Sequence, residues 1–242
     1  MPSYRTEDIR NIVLASQAGA GKTTLLEALL HQAGVIGAMG SIEKGDTVSD
    51  FADEEKQHGH SLFNTIVHCE HDGAHINLID TPGMADFFGQ TVTALPAIET
   101  VAVVIDAAAG IEATTRRVME QAKRRNHCRM IVINKCDSQN ADLPGLLERL
   151  RETFGSECLP INLPADHGRA VVDCFFNPAG ESDFGSVAEA HTALIDQVVE
   201  VDEKLMALYL EQGEELDADQ LHEPFEKALR EGHLVPVCFV AG

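Results

Sequence analysis

Ile9-Arg10-Asn11-Ile12-Val13-Leu14-Ala15 runs directly into Ser16-Gln17-Ala18-Gly19-Ala20-Gly21-Lys22-Thr23-Thr24. The first seven residues form an apolar run that predicts a strand. Leu25, Leu26, Leu29 and Leu30 then recur at helical spacing and predict a helix from Lys22 to Ala33. Between the two lie mostly small residues. A chain of phosphates needs several backbone N–H groups at close approach, and bulky side chains obstruct that wrapping. The N-terminus of the helix adds its partial positive charge. On this reading Ala18, Gly19, Ala20, Gly21, Lys22, Thr23 and Thr24 hold the phosphates, Lys22 reaches the outer ones and the Thr23 hydroxyl ligates Mg²⁺. The strand–loop–helix context lifts the stretch above an ordinary glycine-rich turn. By itself it does not separate ATP from GTP.

Outward from this stretch, strands and helices alternate over the first 160 residues. Leu62–Cys69 and His75–Ile79 read as strands joined by an Asp72-Gly73 turn, and Val101–Ile105 and Met130–Ile133 as short strands buried on both faces of a parallel sheet. Helical patterns separate them at Glu112–Asn126 and Leu143–Phe154. The expected class is therefore α/β, a mostly parallel sheet covered by helices on both faces. Residues 164–185 carry Pro164, Gly168, Pro178, Gly180 and Gly185 and predict irregular or minor structure. Two long helices follow, Val187–Glu211 and Asp217–Arg230, the second capped by Asp217, before a buried strand over Leu234–Val240.

Asn134-Lys135-Cys136-Asp137 follows the Met130–Ile133 strand, at the carboxyl edge where such sheets bind ligands. Asp137 can accept two hydrogen bonds, from guanine N1–H and the 2-amino group, which adenine does not offer. Asn134 either contacts the base edge or ties its loop to the phosphate loop, and the Lys135 stem lies over the ring. Asp80-Thr81-Pro82-Gly83 follows the strand ending at Ile79. Asp80 can hold Mg²⁺ through water and the Gly83 N–H can touch the γ-phosphate, so this loop senses the terminal phosphate. Upstream, the polar loop Gly37–Ser61 carries Asp50, Asp53, Glu54 and Glu55 and reads as a segment ordered by the bound γ-phosphate and metal.

Composition limits the partners. Of 242 residues 44% are hydrophobic and 24% charged, and 18 Lys and Arg face 39 Asp and Glu, a net charge of −21. That excludes a general nucleic-acid sleeve or sequence-specific DNA binding, since phosphate neutralisation needs a cationic surplus. Residues 181–242 alone hold 15 acids and 3 bases, a solvated helical face or a surface for a partner. The best apolar run stops at Asp106, and Met1–Arg10 has no apolar core, so neither a membrane span nor a signal peptide is expected. Cys69, Cys128, Cys136, Cys158, Cys174 and Cys238 are scattered without a Cys-x-x-Cys pair and read as small buried hydrophobes in a reducing, cytoplasmic setting. His58, His60, His68, His71 and His75 crowd around Cys69, but His68 and His71 fall on opposite faces of a strand and His75 across a turn, which argues against a metal site.

With these motifs in register, the chain resembles the GTPase domain of elongation factor G, and more closely its elongation-factor-G-like branch. The resemblance rests on Ala38–Ser61 as switch I and on Asp80-Thr81-Pro82-Gly83-Met84-Ala85-Asp86-Phe87 as switch II. It extends to the tail from Leu194-Ile195-Asp196 through Asp202-Glu203-Lys204-Leu205-Met206 to Tyr209-Leu210-Glu211. It implies a P-loop GTPase fold with residues 1–141 as GTP-binding core. Residues 142–233 become a shortened G′-type insert with acidic helices, and 234–242 the last core strand, reaching the fifth guanine-contacting loop at Ala241 and Gly242. It further implies GTP/GDP and Mg²⁺ as ligands, Thr23, Ser61 and Asp80 as metal residues, a monomer acting on the ribosome, and a chain that is one domain of a longer protein.

The chain departs from the family pattern in four places. Ser61 stands for the switch I threonine and keeps its hydroxyl; Gly19 replaces a phosphate-loop aspartate; Ala241-Gly242 replaces Ser-Ala; and Met84 replaces the histidine that follows Asp-x-x-Gly. A thioether cannot donate a hydrogen bond to water. Catalysis would thus fall to Lys22, Ser61 and Gly83 with Met84 at the histidine position, and intrinsic turnover is expected to be slow. The resemblance leaves two readings, a ribosome-associated GTPase and a guanine-nucleotide switch with little or no hydrolysis.

Overall fold

A computed structural model of the chain describes residues 4–212 and 218–241. Its strands are β1 (Ile9–Ala15), β2 (Thr65–His71), β3 (Ala74–Asp80), β4 (Thr100–Asp106), β5 (Cys128–Asn134), β6 (Cys158–Pro160), β7 (Asn162–Ala165), β8 (Ala170–Asp173) and β9 (Val235–Phe239). Seven form one sheet in the order β2-β3-β1-β4-β5-β9-β6. Only β2 runs antiparallel to its neighbour, joined to β3 through Asp72 and Gly73, both at positive φ. The helices are α1 (Lys22–Gln32), α2 (Asp53–His58), α3 (Phe88–Ala94), α4 (Ala113–Arg124), α5 (Leu143–Phe154), α6 (Val187–Val199), α7 (Glu203–Gln212) and α8 (Ala218–Glu231).

Successive residues of the central strands bury in opposite directions, as a sheet covered on both faces requires. Val13, Val101, Val103, Ile131 and Ile133 share one apolar cluster with Val118 and Met119 of α4 and Leu146 of α5. Leu14, Ala102 and Leu78 point the other way, into Leu26 and Leu30 of α1. The expected α/β architecture is therefore the one observed, a mostly parallel sheet with helices on both faces. Cys69, Cys136, Cys158 and Cys174 are buried inside it, Cys128 and Cys238 only partly, and burial pushes Cys136 and Cys174 up to about 11 and Cys158 up to about 12. Among the described residues no helix is long and apolar enough to cross a membrane.

Three local features differ from the sequence-based expectation, each for a visible reason. Strand β2 begins at Thr65 and not at Leu62, because the N–H groups of Leu62 and Phe63 donate to the Glu55 carboxylate at 2.9 and 3.1 Å and are lost to the ladder. The long helix expected from Val187 to Glu211 is two helices. Asp202 accepts the Leu205 N–H at 3.0 Å as a side-chain cap for α7, and Lys227 Nζ of α8 donates to the Val201 carbonyl at 2.6 Å. Residues 164–185 contain the turn and second strand of the β7–β8 hairpin, whose tip is held by Asp183 accepting from the N–H groups of His167 (3.1 Å) and Gly168 (2.8 Å). The Asp217 cap lies outside the described residues. Of the crowded histidines, His68 and His75 have ring centres 5.1 Å apart, and His75 also stacks on Tyr4 at 4.4 Å.

Two buried carboxylates fix the polar loop 37–64, one tying it to the body and one tying it to itself. Glu27 of α1, fully buried, accepts the N–H groups of Gly40 at 2.7 Å and Val48 at 2.6 Å. Glu55, 1% exposed, accepts from Ala52, Leu62 and Phe63. A hydrogen bond to a charged acceptor contributes about 1.5–3 kcal/mol. Glu27→Ala is therefore expected to free the loop while sparing the core. Limited proteolysis should cut between residues 37 and 61 roughly tenfold faster or more, with thermal unfolding of the body little changed. A cleavage rate equal to that of the wild type would show that the loop is held elsewhere.

Candidate nucleotide site

The carboxyl ends of β1, β3 and β5 bring three of the predicted segments together. Gly21, the N-cap of α1, has φ 90°, a conformation that suits glycine. A Cβ there would sit 2.3 Å from Asn134 Nδ2. That amide donates to the Ala20 carbonyl at 3.0 Å, so of its two anticipated roles Asn134 performs the tie to the phosphate loop. Its own Oδ1 accepts the Lys135 N–H at 2.9 Å, fixing Lys135 at φ 61°. Lys135 Nζ then donates to Gly19 O at 2.7 Å and pairs with Asp106 Oδ2 at 2.8 Å.

Asp106 was not among the sequence candidates. Burial works to raise its pKa, but the Lys135 ammonium and the N–H groups of Ala109 and Ala108 hold it below the ordinary value. Its signal was positional: it ends β4, the strand between the two that carry the phosphate and guanine motifs. Asp137 is exposed, so its carboxylate is open to a ligand. The loop around it is fixed by Cys136 N–H to Val240 O (3.2 Å) and Ser138 N–H to Lys135 O (3.0 Å). Ala241 is exposed at the end of β9, and Gly242 lies outside the described residues.

At the other end of the site, hydroxyl and carboxylate oxygens converge. Thr23 Oγ1 donates to Asp80 Oδ2 at 2.8 Å and lies 3.4 Å from Ser61 Oγ, which itself donates to Asp50 Oδ1 at 2.7 Å. Asp80 is 1% exposed, its Oδ1 has no hydrogen-bond partner, and burial pushes its carboxyl up to about 6 against the pull of Lys22 and Thr23. An unpartnered buried carboxylate oxygen amid hard oxygen donors is the chemistry that suits a small divalent cation such as Mg²⁺. Lys22 is buried and donates to Ser16 Oγ at 2.9 Å. Burial lowers its pKa, while Asp80 and Asp50 oppose that shift. Lys22, Thr23, Asp50 and Ser61 border a cavity of about 260 Å³, lined also by Gly83, Met84, His60 and Lys135.

A profile of the family described as Elongation factor Tu GTP binding domain matches residues 7–242. The chain belongs to this family. The Elongation factor G-like protein of Mycobacterium tuberculosis is 34% identical over 250 residues, covering 97% of this chain and 35% of that protein. Elongation factor G 1 of Syntrophomonas wolfei is 30% identical, covering 96% and 37%. A crystal structure of a Thermus thermophilus protein superposes with a TM-score of 0.86 at 34% identity, over 96% of this chain and 37% of that one. The chain thus spans about a third of the length of these relatives, and its sheet is that of a P-loop GTPase. In this elongation-factor-type GTP-binding domain, three of the residues singled out as departing from the family pattern lie on the cavity itself. Gly19, Ser61 and Met84 all line it, and Met84 is 36% exposed.

Proposed function

We propose that this domain binds GTP with Mg²⁺, hydrolyses it to GDP and phosphate, and serves a ribosome-associated factor of the elongation-factor-G type. The observation that carries the reading is the convergence of Thr23, Ser61 and Asp80 oxygens beside buried Lys22, in a cavity bolted through Asn134 and Lys135 to the guanine-reading loop. Thr23, Ser61 and Asp80 would hold Mg²⁺, which when bound neutralises charge on the outer phosphates. The backbone N–H groups from Ala18 to Thr24 cradle the phosphates, Lys22 faces the outer ones, and the Gly83 N–H faces the terminal one. Asn134, Lys135 and Asp137, with Ala241 and Gly242 beyond β9, form the base site.

In this reading residues 1–141 are the nucleotide core, 142–233 the insert with its acidic helices and 234–242 the last core strand. The domain works as a monomer in the cytoplasm and meets the ribosome together with further domains, in translocation, ribosome disassembly or protection. Met84 favours a second reading, a switch that holds GTP with little hydrolysis, because a thioether cannot donate a hydrogen bond to water. Single-turnover GTP hydrolysis by the full-length protein, with and without ribosomes, tests both. Slow intrinsic turnover accelerated by ribosomes is expected; tight GTP binding with no turnover in either condition would leave the switch.

A further inference from the structure

His60 lines the phosphate cavity together with Lys22, Thr23, Ser61, Gly83 and Met84. It precedes Ser61, one of the oxygens proposed for the metal, and the backbone around it is held on both sides. The His60 N–H donates to Glu55 O at 3.3 Å, Ser61 Oγ is tied to Asp50 at 2.7 Å, and the Leu62 N–H donates to the Glu55 carboxylate at 2.9 Å. The ring is half-buried, stacked on His58 at 5.8 Å, with Nδ1 3.5 Å from Ser61 O. A carbonyl oxygen only accepts, so the tautomer that suits this contact carries its proton on Nδ1 and has its lone pair on Nε2. Among the described residues Nε2 has no hydrogen-bond partner. The cavity thus contains an imidazole acceptor on a pinned loop, and on the same cavity a thioether where the family has its histidine.

We propose that His60 orients the attacking water in this domain, a role that rests on the GTPase reading above. Nε2 accepts one O–H of a water molecule and turns the water's lone pair toward the terminal phosphate. The water oxygen bonds to the γ-phosphorus as the bond from that phosphorus to the β–γ bridging oxygen breaks. The electron pair leaves with GDP, and the water's protons pass to inorganic phosphate and solvent. The imidazole needs no net change, so the step is one of positioning by a group that touches the reacting water.

The test is single-turnover GTP hydrolysis by the full-length protein with ribosomes, alongside GTP and GDP affinities, for the wild type, His60→Ala, His60→Gln and His60→Ala with Met84→His. His60→Ala should lose about 10²-fold or more in rate, the usual scale for a positioned proton acceptor, with affinities within about twofold. His60→Gln should retain more rate than alanine, since its amide oxygen still accepts a hydrogen bond. Met84→His in the alanine background should recover part of the loss from another wall of the same cavity. Wild-type rate in His60→Ala overturns the role and leaves the GTPase reading standing. So does a parallel fall in affinity and rate, which would make His60 a structural support of the loop. A wild type that binds GTP but never hydrolyses it removes the role along with hydrolysis. A wild type that binds no guanine nucleotide overturns the underlying reading.

Discussion

Lys22→Ala is expected to abolish tight binding of GTP and GDP while leaving the chain folded. Lys22 is 6% exposed, and its ammonium donates to Ser16 Oγ at 2.9 Å and, at 3.5 Å, to the Gln17 carbonyl. Those are neutral acceptors, and burial disfavours its charge. A phosphate placed against the loop supplies an anion in direct contact with this cation. Truncating one partner of a buried, hydrogen-bonded charge pair typically costs about 2–5 kcal/mol, hence about 30- to 4000-fold in affinity. The folded body should be spared, because the desolvation cost of the ammonium goes with it and its direct partners are neutral; Asp80, which loses a nearby cation, keeps the Thr23 hydroxyl and has its carboxyl already pushed up to about 6 by burial. A methylene stem is lost beside Gly83, where even a Cβ would come within 2.7 Å of Lys22 Nζ, so some repacking of switch II should follow. Two measurements decide it: titration with a fluorescent GDP analogue, and thermal unfolding with and without GDP. The wild type should gain stability from the ligand by linkage and the variant should not. Wild-type affinity in Lys22→Ala would sink the phosphate-loop reading outright.

What the sequence makes legible differs from position to position. Strand β1, helix α1 and the loop between them were legible because local chemistry decides them: an apolar run, a run of small residues and a helical leucine repeat. The places of β4 and β5 followed from the short apolar stretches Val101–Ile105 and Met130–Ile133, since parallel strands buried on both faces carry little else, although both strands run one or two residues further at each end. What escaped the reading depends on contacts far apart in the chain. Glu27 sits on a leucine-rich helix and reads as an ordinary polar residue, yet it is fully buried and holds Gly40 and Val48. Glu55 belonged to an acidic patch in the sequence and is the anchor of Leu62 and Phe63 in space. The break between α6 and α7 needs Lys227 to reach across from α8. Asp106 could be placed at a sheet edge but its pairing with Lys135, 29 residues on, requires the fold. Thr23 and Asp80 read as metal residues from their own motifs, but Ser61 joins them only through the family resemblance, since nothing in spacing alone brings a helix, a loop and a strand end together.

Asp137→Asn should redirect the base site from guanine toward xanthine nucleotides. The carboxylate accepts only, and so suits the two donors that guanine presents, N1–H and the 2-amino group. The amide offers one acceptor and one donor, which suits the N1–H and 2-oxo group of xanthine and sets Nδ2 against the guanine amino group. Asp137 is exposed and no side chain must move for the exchange, so the variant should fold with the loop intact. The backbone that aims the residue is independent of its side chain: Ser138 N–H bonds Lys135 O at 3.0 Å, and Cys136 N–H bonds Val240 O at 3.2 Å. From behind, the β7–β8 hairpin presses on the same loop so closely that a Cβ at Gly168 would lie 2.3 Å from Cys136 O. Each buried donor left unpaired costs about 1–3 kcal/mol, so two mismatched groups at guanine predict a loss of roughly 30- to 10⁴-fold in GTP affinity. Xanthosine triphosphate should gain in the same proportion, because the unpaired groups are now its partners. Competition between the two nucleotides at one labelled site reads the ratio directly. Unchanged preference for GTP would mean that Asp137 does not meet the base, and that guanine specificity must come from backbone groups of the Ala241 loop.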